Sequence, residues 1–296
     1  MPRPDEFPAM VFVGVDNQAS PRFSSVRELT PMFQRPPDRV WAQCFRIECE
    51  NASGIDWQGA DFAKCGSDDV TLVCDVMRDA TAAADARFVA HLRTSEHSAI
   101  TAFVADICAE GTPAAVVNEA IERWGRVDVL VNNAGAAAII PLAEITGTRI
   151  AELFALNVTA PSLLAREALP HLREVAGSIV NVSSTFGHRP LPGGSHYAAS
   201  KSAIEMLTQS WALELAEENV KVNAVAPGPT ESEALAASGL PGEVVDKIKQ
   251  DEAGRIPLGR RGKPEDIAAW IVHLADPAAT WLTGQILTVD GGLELT

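Results

Sequence analysis

The chain has 296 residues, 47% of them hydrophobic and 21% charged, which is apolar material enough for a sizeable core and excludes collagen-like, mucin-like and wholly disordered classes. Its 24 Lys and Arg stand against 39 Asp and Glu, and the resulting formal charge of -15 repels nucleic acid and anionic membrane surfaces. No apolar run is long enough for a membrane span, the start MPRPDEFPAM does not read as a secretory signal, and five cysteines without a C-x-x-C pair read as reduced thiols of a cytoplasmic protein.

Residues 1–39 carry seven of the 19 prolines and one glycine, Gly14, and read as an N-terminal extension, either disordered or an ordered arm. From about residue 40 apolar strands alternate with helical patterns. VWAQCFRIEC (40–49) reads as a strand and WQGADFAKCG (57–66) as a short helix. Strands follow at 69–75 and 100–107, with a helix around 79–94 between them. PAAVVNEAIERWG (113–125) reads as a helix and VDVLVNNAG (127–135) as a buried strand running into a turn. Residues 148–174 form one long or broken helical stretch, and 195–218 a long helix. Strands are expected at 177–184, 220–228 and 285–292, with a helix at 264–276. This alternation predicts an α/β fold: a Rossmann-like, doubly wound parallel sheet in three α/β/α layers, with one domain over 40–296. In such a fold the site lies beyond the carboxyl ends of the strands.

Tyr197 is the only tyrosine, and Lys201 follows it at i+4. On a helix the two face the same way, and an ammonium beside a phenol is expected to lower its pKa. Such a tyrosine can exchange a proton with a substrate oxygen. Ser184, thirteen residues earlier at a strand end, can hold a carbonyl beside it. Taken alone, Tyr197 and Lys201 are equally compatible with ordinary surface helix residues. The six histidines show no metal-ligand spacing, and no metal is expected.

Residues 100–296 resemble the short-chain dehydrogenase/reductase family. The matching pieces are Asn132-Asn133-Ala134-Gly135, Asn157 in Leu156-Asn157-Val158, Ser184, Tyr197-x-x-x-Lys201, Pro227-Gly228 and Thr283-Gly284-Gln285 followed by Val289-Asp290-Gly291-Gly292. The resemblance implies an oxidoreductase that passes hydride between a nicotinamide cofactor and a ketone or secondary alcohol. On it Tyr197 is the general acid/base, Lys201 tunes it and touches the nicotinamide ribose, Ser184 positions the reacting oxygen, and Asn157 holds a water in the proton relay. It also implies cofactor contacts at Asn133, Ala134, Gly135, Pro227 and Gly228, with Asp106 near the adenine and Ser232, or nearby Thr230, near the carboxamide. Asp106 is also readable as a helix cap, and the Asn-Gly segment as a plain turn.

The family's phosphate loop has three glycines. In Cys49-Glu50-Asn51-Ala52-Ser53-Gly54-Ile55-Asp56 only Gly54 remains, with Ile55 beside it as the other candidate contact. Glu50 and Asp56 replace the other two glycines, and carboxylates beside a diphosphate oppose its binding. Gly14 is too far from the second strand to substitute, since a βαβ unit needs only about 30 residues. Asp75 ends that strand, where an acid contacts the ribose hydroxyls and repels a 2′-phosphate, so NAD(H) is expected over NADP(H). The damaged loop leaves open an alternative: redox-neutral chemistry on the same fold, or a non-catalytic subunit. Residues 229–262 read as a substrate lid or a solvated helical insert, and Phe186, His188 and His196 as candidates for the substrate side. The long helices resemble the family's four-helix contact, so a homodimer or homotetramer is expected.

Overall fold

The computed structural model describes residues 9–13, 34–35, 39–40, 71–74, 100–103, 105–231 and 242–296. Strand β1 is Ala9–Val13, β2 Gln34–Arg35, β3 Arg39–Val40, β4 Thr71–Cys74 and β5 Ile100–Ala102. Helix α1 is Thr112–Trp124, β6 Val129–Asn132, α2 Gly147–Phe154, and a π-helical turn, Ala155–Thr159, runs into α3, Ala160–Val175. Then come β7 (Ser178–Val182), α4 (Ser195–Glu214), β8 (Lys221–Pro227), α5 (Gly242–Arg255), α6 (Pro264–Ala275) and β9 (Ile286–Val289).

Seven parallel strands form one sheet in the order β5-β4-β1-β6-β7-β8-β9. The strand order reverses between β1 and β6, the topological switch point at which such sheets open a crevice. Strand β1 fills that central position, with Met10 opposite Val129 and Val13 opposite Asn132.

This corrects the reading of the chain's beginning. Residues 1–39 were expected to lie outside the sheet and 40–49 to supply its first strand. Ala9–Val13 takes that place, while Arg39–Val40 pairs antiparallel with Gln34–Arg35 in a separate two-stranded sheet. The physical reason is that a parallel strand gains its hydrogen bonds from partners distant in sequence, so a short apolar run serves wherever the chain can deliver it. Residues 41–49, the expected helices at 57–66 and 79–94, and Gly54, Ile55, Asp75 and Ser232 lie outside the described residues.

The strands carry side chains to two faces. Leu130, Ile179 and Val222 stand in register and pack with residues of α1, α3 and α4, including Val117, Leu164, Leu172 and Ala212. Val129, Val131, Val180 and Val225 face the other way, onto Ile267, Ile271 and Leu274 of α6. Helices on both faces of a parallel sheet account for strands that are buried throughout. A buried polar ladder crosses this core: Asn132 Nδ2 donates to Asn181 Oδ1 at 2.8 Å, and Asn181 Nδ2 to Thr208 Oγ1 at 2.9 Å.

The segment 229–262 leaves and rejoins the sheet edge through a tied neck. Gly262 N donates to the Pro229 carbonyl at 2.9 Å and Glu231 N to the Gly262 carbonyl at 2.8 Å. Buried Arg261 pairs with Glu231 and Glu252 and donates to the Thr230 carbonyl at 2.6 Å. Helix α5 lies within this segment. Among the described residues no helix is long and apolar enough to cross a membrane, and no group of His, Cys, Asp or Glu is placed to hold a metal ion.

Candidate active site

The carboxyl ends of β6, β7 and β8 bring the sequence motifs together. Strand β6 ends at Asn132 and leads into Asn133, Ala134 and Gly135, β7 leads into Ser183 and Ser184, and β8 ends at Pro227 before Gly228. Helix α4 starts just beyond this edge, placing Tyr197 in its first turn and Lys201 in the next.

Asn157 reaches the site from the π-helical turn, which breaks an otherwise continuous helix. It is 1% exposed. Its Oδ1 accepts from Ala136 N and its Nδ2 donates to the Ala136 carbonyl, both at 2.9 Å, clasping the loop backbone just after the Asn-Gly motif. The same Nδ2 donates to Ser200 Oγ at 2.9 Å, and Ser200 Oγ donates to the Tyr197 carbonyl at 2.7 Å. Asn157 thus fixes the turn of α4 that carries the phenol. Ser200 was not singled out from sequence; its place at i+3 from Tyr197, facing an amide on another helix, was the signal for it.

Ser184 is buried, accepts from Phe186 N at 3.2 Å, and hydrogen-bonds the Tyr197 phenol. Burial pushes that phenol above its ordinary value of 10, and the Ser184 bond only partly counters it. The shift is opposite to the one expected from Lys201. The reason is that desolvation penalises the phenolate more than its neighbours favour it, while the ammonium is itself desolvated. Lys201 donates from Nζ to the Val182 carbonyl at 2.8 Å, and burial pulls its pKa from 10.5 to about 8, with Glu205 pulling the other way. The charged lysine thereby costs about 3 kcal/mol of stability below pH 8, and the cost is relieved as pH rises toward 10.5.

Two glycines shape the floor. A Cβ on Gly135 would lie 3.0 Å from Lys201 Nζ and 3.3 Å from Asn157 Oδ1, so both polar atoms converge over its bare α-carbon. A Cβ on Gly228 would lie 2.8 Å from Asp290 Cα, so Gly228 lets β8 pass the turn after β9. Asn132 Oδ1 is buried at the switch point without a hydrogen-bond partner. Two polar atoms gathered over Gly135 and an orphaned acceptor at the crevice fit the nicotinamide end of a dinucleotide. Of the other expected contacts, Asp106 caps a turn, accepting from Cys108 N at 2.9 Å. His188 lies between two carboxylates, Glu205 of α4 and Glu294 of the C-terminal segment, and His196 lies beside Ser195.

Comparison with known proteins agrees with this architecture. Residues 51–294 match the family model described as enoyl-(acyl carrier protein) reductase. The chain belongs to the short-chain dehydrogenase/reductase family. It is 38% identical over 181 residues to 3-oxoacyl-[acyl-carrier-protein] reductase FabG of Thermotoga maritima, covering 61% of this chain and 71% of that one. A short-chain dehydrogenase/reductase of unknown function from Caenorhabditis elegans, solved with cofactor, superposes with a TM-score of 0.67 at 32% identity, over 77% of this chain and 87% of that one. The structure of ElxO with NADP bound superposes with a TM-score of 0.67 at 28% identity, over 76% of this chain and 89% of that one. This short-chain dehydrogenase/reductase is an oxidoreductase that moves hydride between a nicotinamide cofactor and a ketone or secondary alcohol. The family match begins at Asn51, so it includes Gly54 and Ile55 and leaves β1 upstream.

Proposed function

We propose that Tyr197 is the general acid/base of this oxidoreductase. The observation that carries it is the buried set of Asn157, Ser200, Ser184 and Lys201 converging on the first turns of α4. A bound nicotinamide supplies or removes the hydride. The Tyr197 hydroxyl gives its proton to the carbonyl oxygen in reduction and takes it back in oxidation. Ser184 Oγ holds that oxygen beside the phenol. Lys201 holds a positive charge against the site floor and contacts the ribose. A water between Asn157 Oδ1 and Lys201 Nζ, the two atoms that converge over Gly135, extends the proton path toward solvent.

Asn133, Ala134, Gly135, Pro227 and Gly228 form the nicotinamide side of the cradle, Asp106 and Asp75 the adenosine side, and Ser232 the carboxamide contact; Gly54 and Ile55, assigned to the phosphate turn on a first strand at 40–49, lose that ground with Ala9–Val13 in its place. Asp75 disfavours a 2′-phosphate, so the cofactor is NAD(H) rather than NADP(H). Isothermal calorimetry on the purified protein tests this: NADH binds at least about tenfold more tightly than NADPH, a difference of about 1.4 kcal/mol. Equal or reversed affinities overturn the Asp75 assignment, and absence of binding by folded protein moves redox-neutral chemistry to the front.

The substrate is a small ketone or alcohol admitted beside the 229–262 segment, in the cytoplasm. The protein is a homodimer or homotetramer joined through α3 and α4. Met206 and Leu213, seven residues apart on α4, are 62% and 82% exposed and form one apolar stripe. Sedimentation velocity should show no monomer at micromolar concentration; a monomer alone removes this assembly.

A further inference from the structure

Lys201 is 5% exposed, and its Nζ donates to a neutral carbonyl. A buried ammonium keeps its charge only where an anion offsets the lost hydration. The carboxylate that acts on Lys201 is Glu205, one turn further along α4 on the same helix face.

Glu205 sits in a built seat. Ser183 Oγ donates to its Oε1 at 2.8 Å, and His188 Nδ1 lies 3.0 Å from the same oxygen. A Cβ on Gly187 would collide with this carboxylate and lie 2.8 Å from Ser183 Oγ, so the seat exists because Gly187 has no side chain. The other His188 nitrogen, Nε2, faces Glu294 at 3.0 Å and Thr288 Oγ1 at 3.4 Å. An imidazole with a carboxylate on each nitrogen donates from both and is held as the cation. Burial works against the cation there, but Glu205 and Glu294 outweigh it and raise the His188 pKa. The C-terminal segment that carries Glu294 is itself fixed. Arg189 donates to the Leu293 and Thr296 carbonyls, and Asp290 accepts from Glu294 N at 2.7 Å and Thr185 Oγ1 at 3.2 Å.

We propose that Glu205 is a positioning residue for Lys201, seated by Ser183, Gly187 and His188, and that the His188 bridge to Glu294 makes the C-terminal segment part of the same support. The consequence for turnover rests on the role given to Lys201 above; the charge coupling does not. Around Lys201 the groups have definite signs. Glu205, on its own helix, favours the ammonium, and His188, from the turn after β7, opposes it. Glu294 lies beyond His188, while Tyr197 and Asn157 are neutral.

The test is a 13C NMR titration of the Lys201 Cε resonance in the full chain labelled with 13C-lysine, assigned with Lys201→Arg, run beside the pH profile of kcat/KM. In the parent the midpoint is expected near 8. Glu205→Gln keeps the shape and removes the charge, and should lower the midpoint by about one unit, the alkaline limb of kcat/KM moving with it. A purely structural role for Glu205 leaves the midpoint where it is in the parent. A Glu205→Gln midpoint equal to or above the parent's overturns the proposal. Should that variant not fold, Glu205→Asp, which keeps the charge but draws it back by one methylene, decides alone: a lowered midpoint supports the coupling, and an unchanged or raised one overturns it. Shifted NMR midpoints with an unmoved kcat/KM limb uphold the coupling and remove Lys201 from the rate-determining chemistry.

Discussion

Tyr197→Phe should lower kcat by about a thousandfold or more, while cofactor affinity and the unfolding midpoint stay near the parent's. The lost hydroxyl has Ser184 as its partner, and Ser184 keeps its bonds to Phe186 N and the Pro227 carbonyl. The change therefore leaves little unsatisfied and acts on chemistry. Direction of catalysis follows from the raised phenol. At neutral pH Tyr197 is protonated, which suits it to donate in carbonyl reduction. In alcohol oxidation the accepting phenolate is scarce, so that rate should climb with pH. Because Tyr197 is the sole tyrosine, the phenolate absorbance near 295 nm reports it directly, and its midpoint in the free protein should lie above 10. Near-normal turnover by the phenylalanine variant, or a midpoint below 10, overturns these assignments.

Removing residues 1–39 should abolish cooperative folding. Strand β1 pairs with β4 on one side and β6 on the other, so its loss separates β4 and β5 from the rest of the sheet and bares two central edges. The expected outcome is insoluble protein, or soluble protein without a sharp thermal transition by circular dichroism. A truncated protein that melts cooperatively near the parent's midpoint and binds NADH shows instead that another segment fills the sheet, and the strand at 40–49 becomes its first candidate.

Beyond residue 100 local patterns were sufficient. Helix α1 begins one residue before the expected Pro113 and ends one before Gly125, where a left-handed cap stops it. Strands β6, β7 and β8 lie inside the expected runs, because strands buried on both faces are continuous apolar segments. The beginning of the sheet was not legible. AMVFV is short, stands among prolines and is far from its partners, and nothing local distinguishes it from VWAQCFRIEC. In the site, the spacing from Ser184 to Tyr197 to Lys201 identified a group that the fold does assemble. Three features depended on tertiary packing instead. These are the π-helical turn that aims Asn157, the Val182 carbonyl that receives Lys201, and the desolvation that reverses the expected shift of the phenol.

The place of β1 also bears on the order in which the chain can fold. Met10 leaves the ribosome well before its partner Val129, with β4, β5 and α1 made in between. Parallel pairing over such a separation must first meet the entropy of closing a very long loop, which slows it and leaves apolar surface uncovered meanwhile. Strands β6 to β9, which neighbour one another in both sequence and space, escape this delay. Assembly is therefore expected to start in the C-terminal half, with the first-made strand inserted late, and the interval before that insertion is when the nascent protein most needs a chaperone.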